Sequence, residues 1–125
     1  MGNLIFQNLS KFYNAHQSRK IEVCLDYSTN LLKIIKILRS EGYIRGFSLK
    51  SSGIVVFLKY FNNRSTFKNL YLVSKPSRRV FYSHIDLLKK NKKSGLFILN
   101  TSQGILSSKS AMNQNVGGEV IFFIN

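Results

Sequence analysis

Near the N-terminus, apolar side chains recur at helical intervals. Ile5, Leu9 and Phe12, with Phe6 and Tyr13 beside them, predict an amphipathic helix over residues 4–14. The period then changes. Ile21, Val23 and Leu25 alternate with Glu22, Cys24 and Asp26, the pattern of a strand with one face buried. Ser28, Thr29 and Asn30 are helix N-cap types. The run 31–41 that follows sets Leu31, Ile34, Ile35 and Leu38 on one side and Lys33 and Lys36 on another, and Gly42 stops it as a C′ glycine would. Residues 43–50 and 53–61 predict two strands joined at Ser51-Ser52-Gly53. Asn62 to Thr66 is polar and turn-like, so a boundary is expected there, between an αβαββ subdomain over 1–64 and a second subdomain over 65–125.

The second half reads as mostly β. Phe67 to Val73 predicts a strand, Pro76 interrupts, and Arg79 to Tyr82 resumes extended structure. Ser83-His84-Ile85-Asp86 predicts a short capped turn of helix. Lys89, Lys90, Lys92 and Lys93 form a basic loop, and Gly95 to Leu99 an apolar strand. Asn100 to Gly104 is a polar loop. Ser107 caps a short helix to about Asn113, Gly117-Gly118 turns the chain, and Glu119 to Ile124 is a last apolar strand. The expected class is α+β, with two small subdomains, the second mostly β with one short helix.

Composition narrows the partner. In 125 residues the chain is 44% hydrophobic, enough to bury a core, yet Lys plus Arg exceed Asp plus Glu by 19 to 5, a net charge of +14. That excess repels itself in the folded state, and a polyanion relieves it most simply. No apolar run nears the roughly 18 to 20 residues of a membrane span, and residues 1–10 read as neither secretory signal nor transit peptide. Cys24 is the sole cysteine, which fits a reducing compartment. The matches to N-x-[ST] at Asn8, Asn63 and Asn100 are chance in an Asn-rich chain.

Candidate catalytic chemistry is scarce. His16 and His84 are far apart, Asp86 and Glu119 are the only acids of the C-terminal half, and no phosphate-binding glycine loop occurs. No catalytic residue, metal ligand set or cofactor is expected, and the chain is read as a non-enzyme. The basic and polar features are richer. Lys75, Arg78 and Arg79 surround Pro76, and Phe81 and Tyr82 follow, a combination suited to phosphates and to base stacking. Asn100, Thr101, Ser102 and Gln103 offer uncharged donors and acceptors beside Gly104, which suits base edges and the 2′-OH. Lys33 and Lys36 could meet phosphate from the outer face of the second helix.

The order of several short stretches then adds a resemblance. Val73-Ser74-Lys75-Pro76-Ser77-Arg78-Arg79-Val80-Phe81, the segment Gly95 to Ala111 containing Asn100-Thr101-Ser102-Gln103-Gly104, and Gly117-Gly118-Glu119 are similar in order and spacing to the ribosomal protein family numbered eight in the small subunit. Tyr27-Ser28, Ile37 to Ile44 and Leu58-Lys59-Tyr60 extend it to roughly residues 20–125. The resemblance implies a two-subdomain α+β fold, direct binding to the central domain of small-subunit rRNA, a role in assembling it, and neighbouring small-subunit proteins. It implies that Asn100 to Gly104 is the main RNA-reading element, that Glu119 with Gly117 and Gly118 supports it, and that Lys75, Arg78 and Arg79 contact RNA, with Tyr82 placed beside them as the stacking ring by its residue type. Asn100, Ser77 and Gln103 stand where the family usually has Ser, Gly and Lys, and residues 1–19 match poorly. That divergence, with a bias toward Lys, Asn, Ile and Phe, points to an organellar ribosome, in the mitochondrial matrix before a plastid or a bacterial cytoplasm. A general nucleic-acid binder outside the ribosome is the alternative. A small nucleic-acid enzyme and a membrane-surface protein fit the sequence less well.

Overall fold

The structure is a computed structural model that describes residues 3–61, 64–90 and 95–125, with side chains left aside at 3, 61, 64 and 65. The chain divides into two compact units, 1–67 and 68–125.

In the first unit, helix α1 (Asn3–Gln17) precedes strand β1 (Glu22–Leu25), helix α2 (Thr29–Ser40), strands β2 (Ile44–Lys50) and β3 (Gly53–Leu58), and the short pair β4 (Tyr60–Phe61) and β5 (Arg64–Ser65). The antiparallel sheet has the order β1-β3-β2. Helix α1 packs on β1 and α2 on β2, so the apolar stripes of both helices meet Leu25, Ile54, Val56 and Leu58 in a core. The cap on α2 is as the sequence suggests: Ser28 Oγ accepts from Leu31 N at 3.0 Å. Gly42, at φ +83°, ends the helix. Asn8 has a less obvious task. It is fully buried, and its amide takes both backbone groups of Asp26, donating to the carbonyl and accepting from the N–H, each at 3.2 Å. That pair satisfies the chain where it leaves β1.

Two expectations shift here. Ile21 does not share the buried face of Val23 and Leu25. It precedes β1 and is 73% exposed. The strand expected over 53–61 ends at Leu58, and Tyr60 pairs instead within β4 and β5.

The second unit holds β6 (Leu70–Leu72), β7 (Phe81–Tyr82), helix α3 (His84–Lys90), β8 (Leu96–Thr101), β9 (Gly104–Ser107), helix α4 (Ser108–Asn113) and β10 (Gly118–Ile124). Its sheet has the order β6-β10-β8-β9, with β7 also on β10. One face carries Leu99 and Val120 against Leu87 of α3 and Ala111 of α4. Leu96, Ile98, Phe122 and Ile124, which alternate with them, are buried as well. Burial on both faces explains why β10 reads as an unbroken apolar run. A bulge at Ile121 shifts the register between Val120 and Phe122, and its carbonyl accepts from Val73 N at 3.1 Å.

The helical content of this unit exceeds the sequence reading. The capped turn at Ser83 continues as α3 through Lys90, so Lys89 and Lys90 are helical rather than loop. Lys92 and Lys93 lie outside the described residues. The strand expected from Phe67 begins only at Leu70, because Phe67 belongs to the first unit and is buried there beside Phe12 and His16. Residues 104–107 form a strand where no strand was expected.

Candidate nucleic-acid interface

The segment read as a polar loop at 100–104 is the end of a β-hairpin. Asn100 pairs with Ile105 and Thr101 with Gly104, which leaves Ser102 and Gln103 as the exposed turn. Thr101 is occupied within it: its hydroxyl donates to the Gly104 carbonyl at 2.8 Å and accepts from Gln103 N at 3.1 Å. Gly104 holds φ +102°, a conformation L side chains avoid. The polar groups presented outward are therefore Ser102 and Gln103, with Asn100 half-buried behind them.

The base of the hairpin depends on close backbone approach. Gly118 pairs with Thr101 on one side and Tyr82 on the other. A Cβ at Gly118 would come within 2.3 Å of the Asn100 carbonyl, and one at Gly117 within 2.3 Å of the Tyr82 carbonyl. Both residues lack the atom that would force the strands apart.

The basic segment is a tight turn. Lys75 and Arg78 exchange backbone hydrogen bonds at 2.8 and 2.9 Å, so Pro76 and Ser77 form the tip and both basic side chains are exposed. Fully buried Ser74 clamps its base. The Ser74 hydroxyl accepts from Val80 N at 2.9 Å and donates to the Val80 carbonyl at 3.3 Å. Arg79 is engaged differently: its Nη1 lies 2.9 Å from Glu119 Oε2, with side-chain exposures of 34% and 8%. Glu119 is in register with Asn100 on one side and Phe81 on the other. Directly paired residues share a sheet face, so one row carries Phe81, Glu119, Asn100 and Ile105. The ion pair thus fastens the basic turn to the hairpin.

This register separates the two aromatic candidates. Phe81 lies in the row of Glu119 and Asn100 and is 68% exposed. Tyr82 lies in the opposite row with Gly118, edge-on to Phe97 at 5.8 Å, with Lys90 Nζ 5.2 Å over its ring. The sequence reading names both rings and places only Tyr82 among the RNA contacts, whereas Phe81 is the one on the face of Asn100. Strand alternation relative to Glu119 is the signal that distinguishes them.

Lys33 and Lys36 belong to the first unit. They are exposed on α2 in a helical row with Arg39. Lys36, Arg39 and Ser40 line a cavity of about 330 Å³ with Phe47, and the Arg39 guanidinium sits 5.9 Å over the Phe47 ring. No group of three or more His, Cys, Asp or Glu side chains able to hold a metal occurs among the described residues.

Comparison with known proteins converges on one assignment. The family described as Ribosomal protein S8 matches residues 3–125. The small ribosomal subunit protein uS8 of Mycoplasmopsis pulmonis is 37% identical over 120 residues, covering 93% of this chain and 91% of that one. The uS8 of a Bradyrhizobium species is 36% identical over 121 residues, covering 93% and 92%. The small ribosomal subunit protein uS8m of Acanthamoeba castellanii is 37% identical over 116 residues, covering 90% and 89%. With its motifs in order, a two-unit α+β fold and a match over nearly its whole length, this chain belongs to the ribosomal protein S8 family.

Proposed function

We propose that this chain is a structural constituent of the small ribosomal subunit, that it binds the central domain of small-subunit rRNA, and that it supports the assembly of that domain. The observation that carries the reading is the uncharged hairpin end at Ser102 and Gln103, tied through Glu119 and Arg79 to a basic turn. Lys75 and Arg78 meet phosphates and set the register. Ser102, Gln103 and Asn100 contact base edges or 2′-hydroxyls, and exposed Phe81 stacks beside them. Gly104, Thr101, Gly117 and Gly118 hold the hairpin's shape, and Lys33, Lys36 and Arg39 supply a further phosphate contact from α2. The role is structural, and the partners are rRNA and neighbouring small-subunit proteins.

The particle is assigned to the mitochondrion on composition. Identity does not decide this, because relatives named uS8 from bacteria and the one named uS8m match equally well. Localising the tagged chain in its own cells tests that assignment, and recovery in cytosolic ribosomes overturns it.

The test of RNA recognition is titration of the full chain with a central-domain rRNA fragment and, in competition, duplex DNA. The rRNA fragment is expected to win. Ser102→Ala weakens the rRNA complex more than the DNA complex. Equal loss on both would show that the hairpin positions without reading. Crosslinking in intact ribosomes, with mapping of the attached nucleotides, is the direct check.

A further inference from the structure

Three aromatic residues form a row across adjacent strands of the second unit. Tyr71 of β6 is in register with Phe123 of β10, and Phe123 with Phe97 of β8, so all three rings leave the same sheet face. Phe97 and Phe123 contact at 4.6 Å between centroids. Phe123 also lies against Gly95, where a Cβ would fall 2.1 Å from the ring. Two rings are therefore packed walls, whereas Tyr71 stands 54% exposed at the lip. Together with Asn125 they line a cavity of about 420 Å³, within the range of pockets that take small planar groups. The cavity thus combines an aromatic wall with a half-free ring at its lip.

We infer that this pocket takes an unstacked nucleobase of single-stranded RNA, one that stacks on Tyr71. This rests on the RNA reading above and adds a second contact to it. Phe97 is four residues from Thr101 along β8, roughly 13 Å from the hairpin at strand rise. Charge favours RNA over a protein side chain. The chain carries +14, and Lys68, exposed, is held at the pocket's end of the sheet, its backbone N–H donating to the Asn125 carbonyl at 2.6 Å. Base–aromatic stacking tolerates sequence and operates beside positive charge that tracks the backbone.

The test is titration of the full chain with a single-stranded hexaadenylate carrying one 2-aminopurine, followed by fluorescence. Tyr71→Ala should weaken binding about 5- to 100-fold, the size of one lost base–aromatic stack. Tyr71→Phe should stay within about twofold, because the ring remains. The salt slope should not change, since no phosphate contact is lost. Tyr71 is half exposed, so the variant keeps its fold, which its melting midpoint verifies. An unchanged affinity for Tyr71→Ala overturns the inference and leaves the pocket to a protein side chain or to nothing. If the wild type binds the central-domain fragment but not the hexaadenylate, this pocket assignment falls and the rRNA reading stands. If it binds neither, both fall.

Discussion

Replacing Arg79 by Ala should cost more stability than its partial exposure suggests, yet cost little in electrostatic binding. The arginine is one-third exposed, but its partner Glu119 is only 8% exposed and lies 2.9 Å away. Exposed ion pairs are worth about 0–1 kcal/mol, whereas stripping one partner from a fully buried pair costs about 3–5 kcal/mol. The truncation leaves a nearly buried carboxylate between Asn100 and Phe81 but opens a path for water, which puts the cost at about 2 kcal/mol. Glu119→Gln removes the charge and keeps the shape, so Arg79→Ala in that background should cost below about 1 kcal/mol. The cycle is measured by urea unfolding, with a coupling of about 1 kcal/mol or more. The RNA arm uses the salt dependence of binding. Lys75→Ala and Arg78→Ala should each lower the log–log salt slope by about 0.7 to 0.9, and Arg79→Ala by clearly less, because its charge is taken up by Glu119. A coupling under about 0.5 kcal/mol refutes the bracing role. A slope change for Arg79→Ala equal to that for Arg78→Ala refutes the division of labour between them.

Further outcomes follow from other parts of the fold. Gly118→Ala would set a Cβ 2.3 Å from the Asn100 carbonyl. It should destabilise the second unit by about 1–3 kcal/mol or more and weaken rRNA-fragment binding through the displaced hairpin, seen by calorimetry and titration on one sample. Ser28→Ala removes the cap on α2 and should lower stability by about 1 kcal/mol in urea titration. His16 is buried and stacked 3.8 Å from Phe67, with neither ring nitrogen partnered. Burial, and then the charge of Arg19, push its pKa below the usual 6.5. The folded state therefore binds its proton less readily than the unfolded chain. Stability is full above pH 6.5 and declines as pH falls below it toward the folded value, with a slope of up to about 1.4 kcal/mol per pH unit from this group. His16→Phe should flatten that part of the pH profile, and an unaltered profile would assign the acid sensitivity elsewhere.

Local pattern carried much of this protein. Helix α2 announced itself by its Ser28 cap, its four apolar positions and the Gly42 stop, all written within one short segment. The basic turn and the polar stretch at 100–104 were legible as chemistry because charge and hydroxyl content are properties of composition. The length of α3, the strand β9 and the exposure of Ile21 were not legible. Each depends on which partner a segment meets, and short apolar runs satisfy helix, strand and loop alike. The site divides the same way. The sequence by itself determined a basic α+β domain with an uncharged polar loop suited to RNA, in the order of one ribosomal family. Only the tertiary structure decided that Arg79 faces Glu119, that Phe81 rather than Tyr82 shares the row of Asn100, and that Tyr71, Phe97 and Phe123 line one pocket. The reason is register. Residues 19 to 52 positions apart become neighbours through strand pairing, and a one-residue slip would send each side chain to the other face.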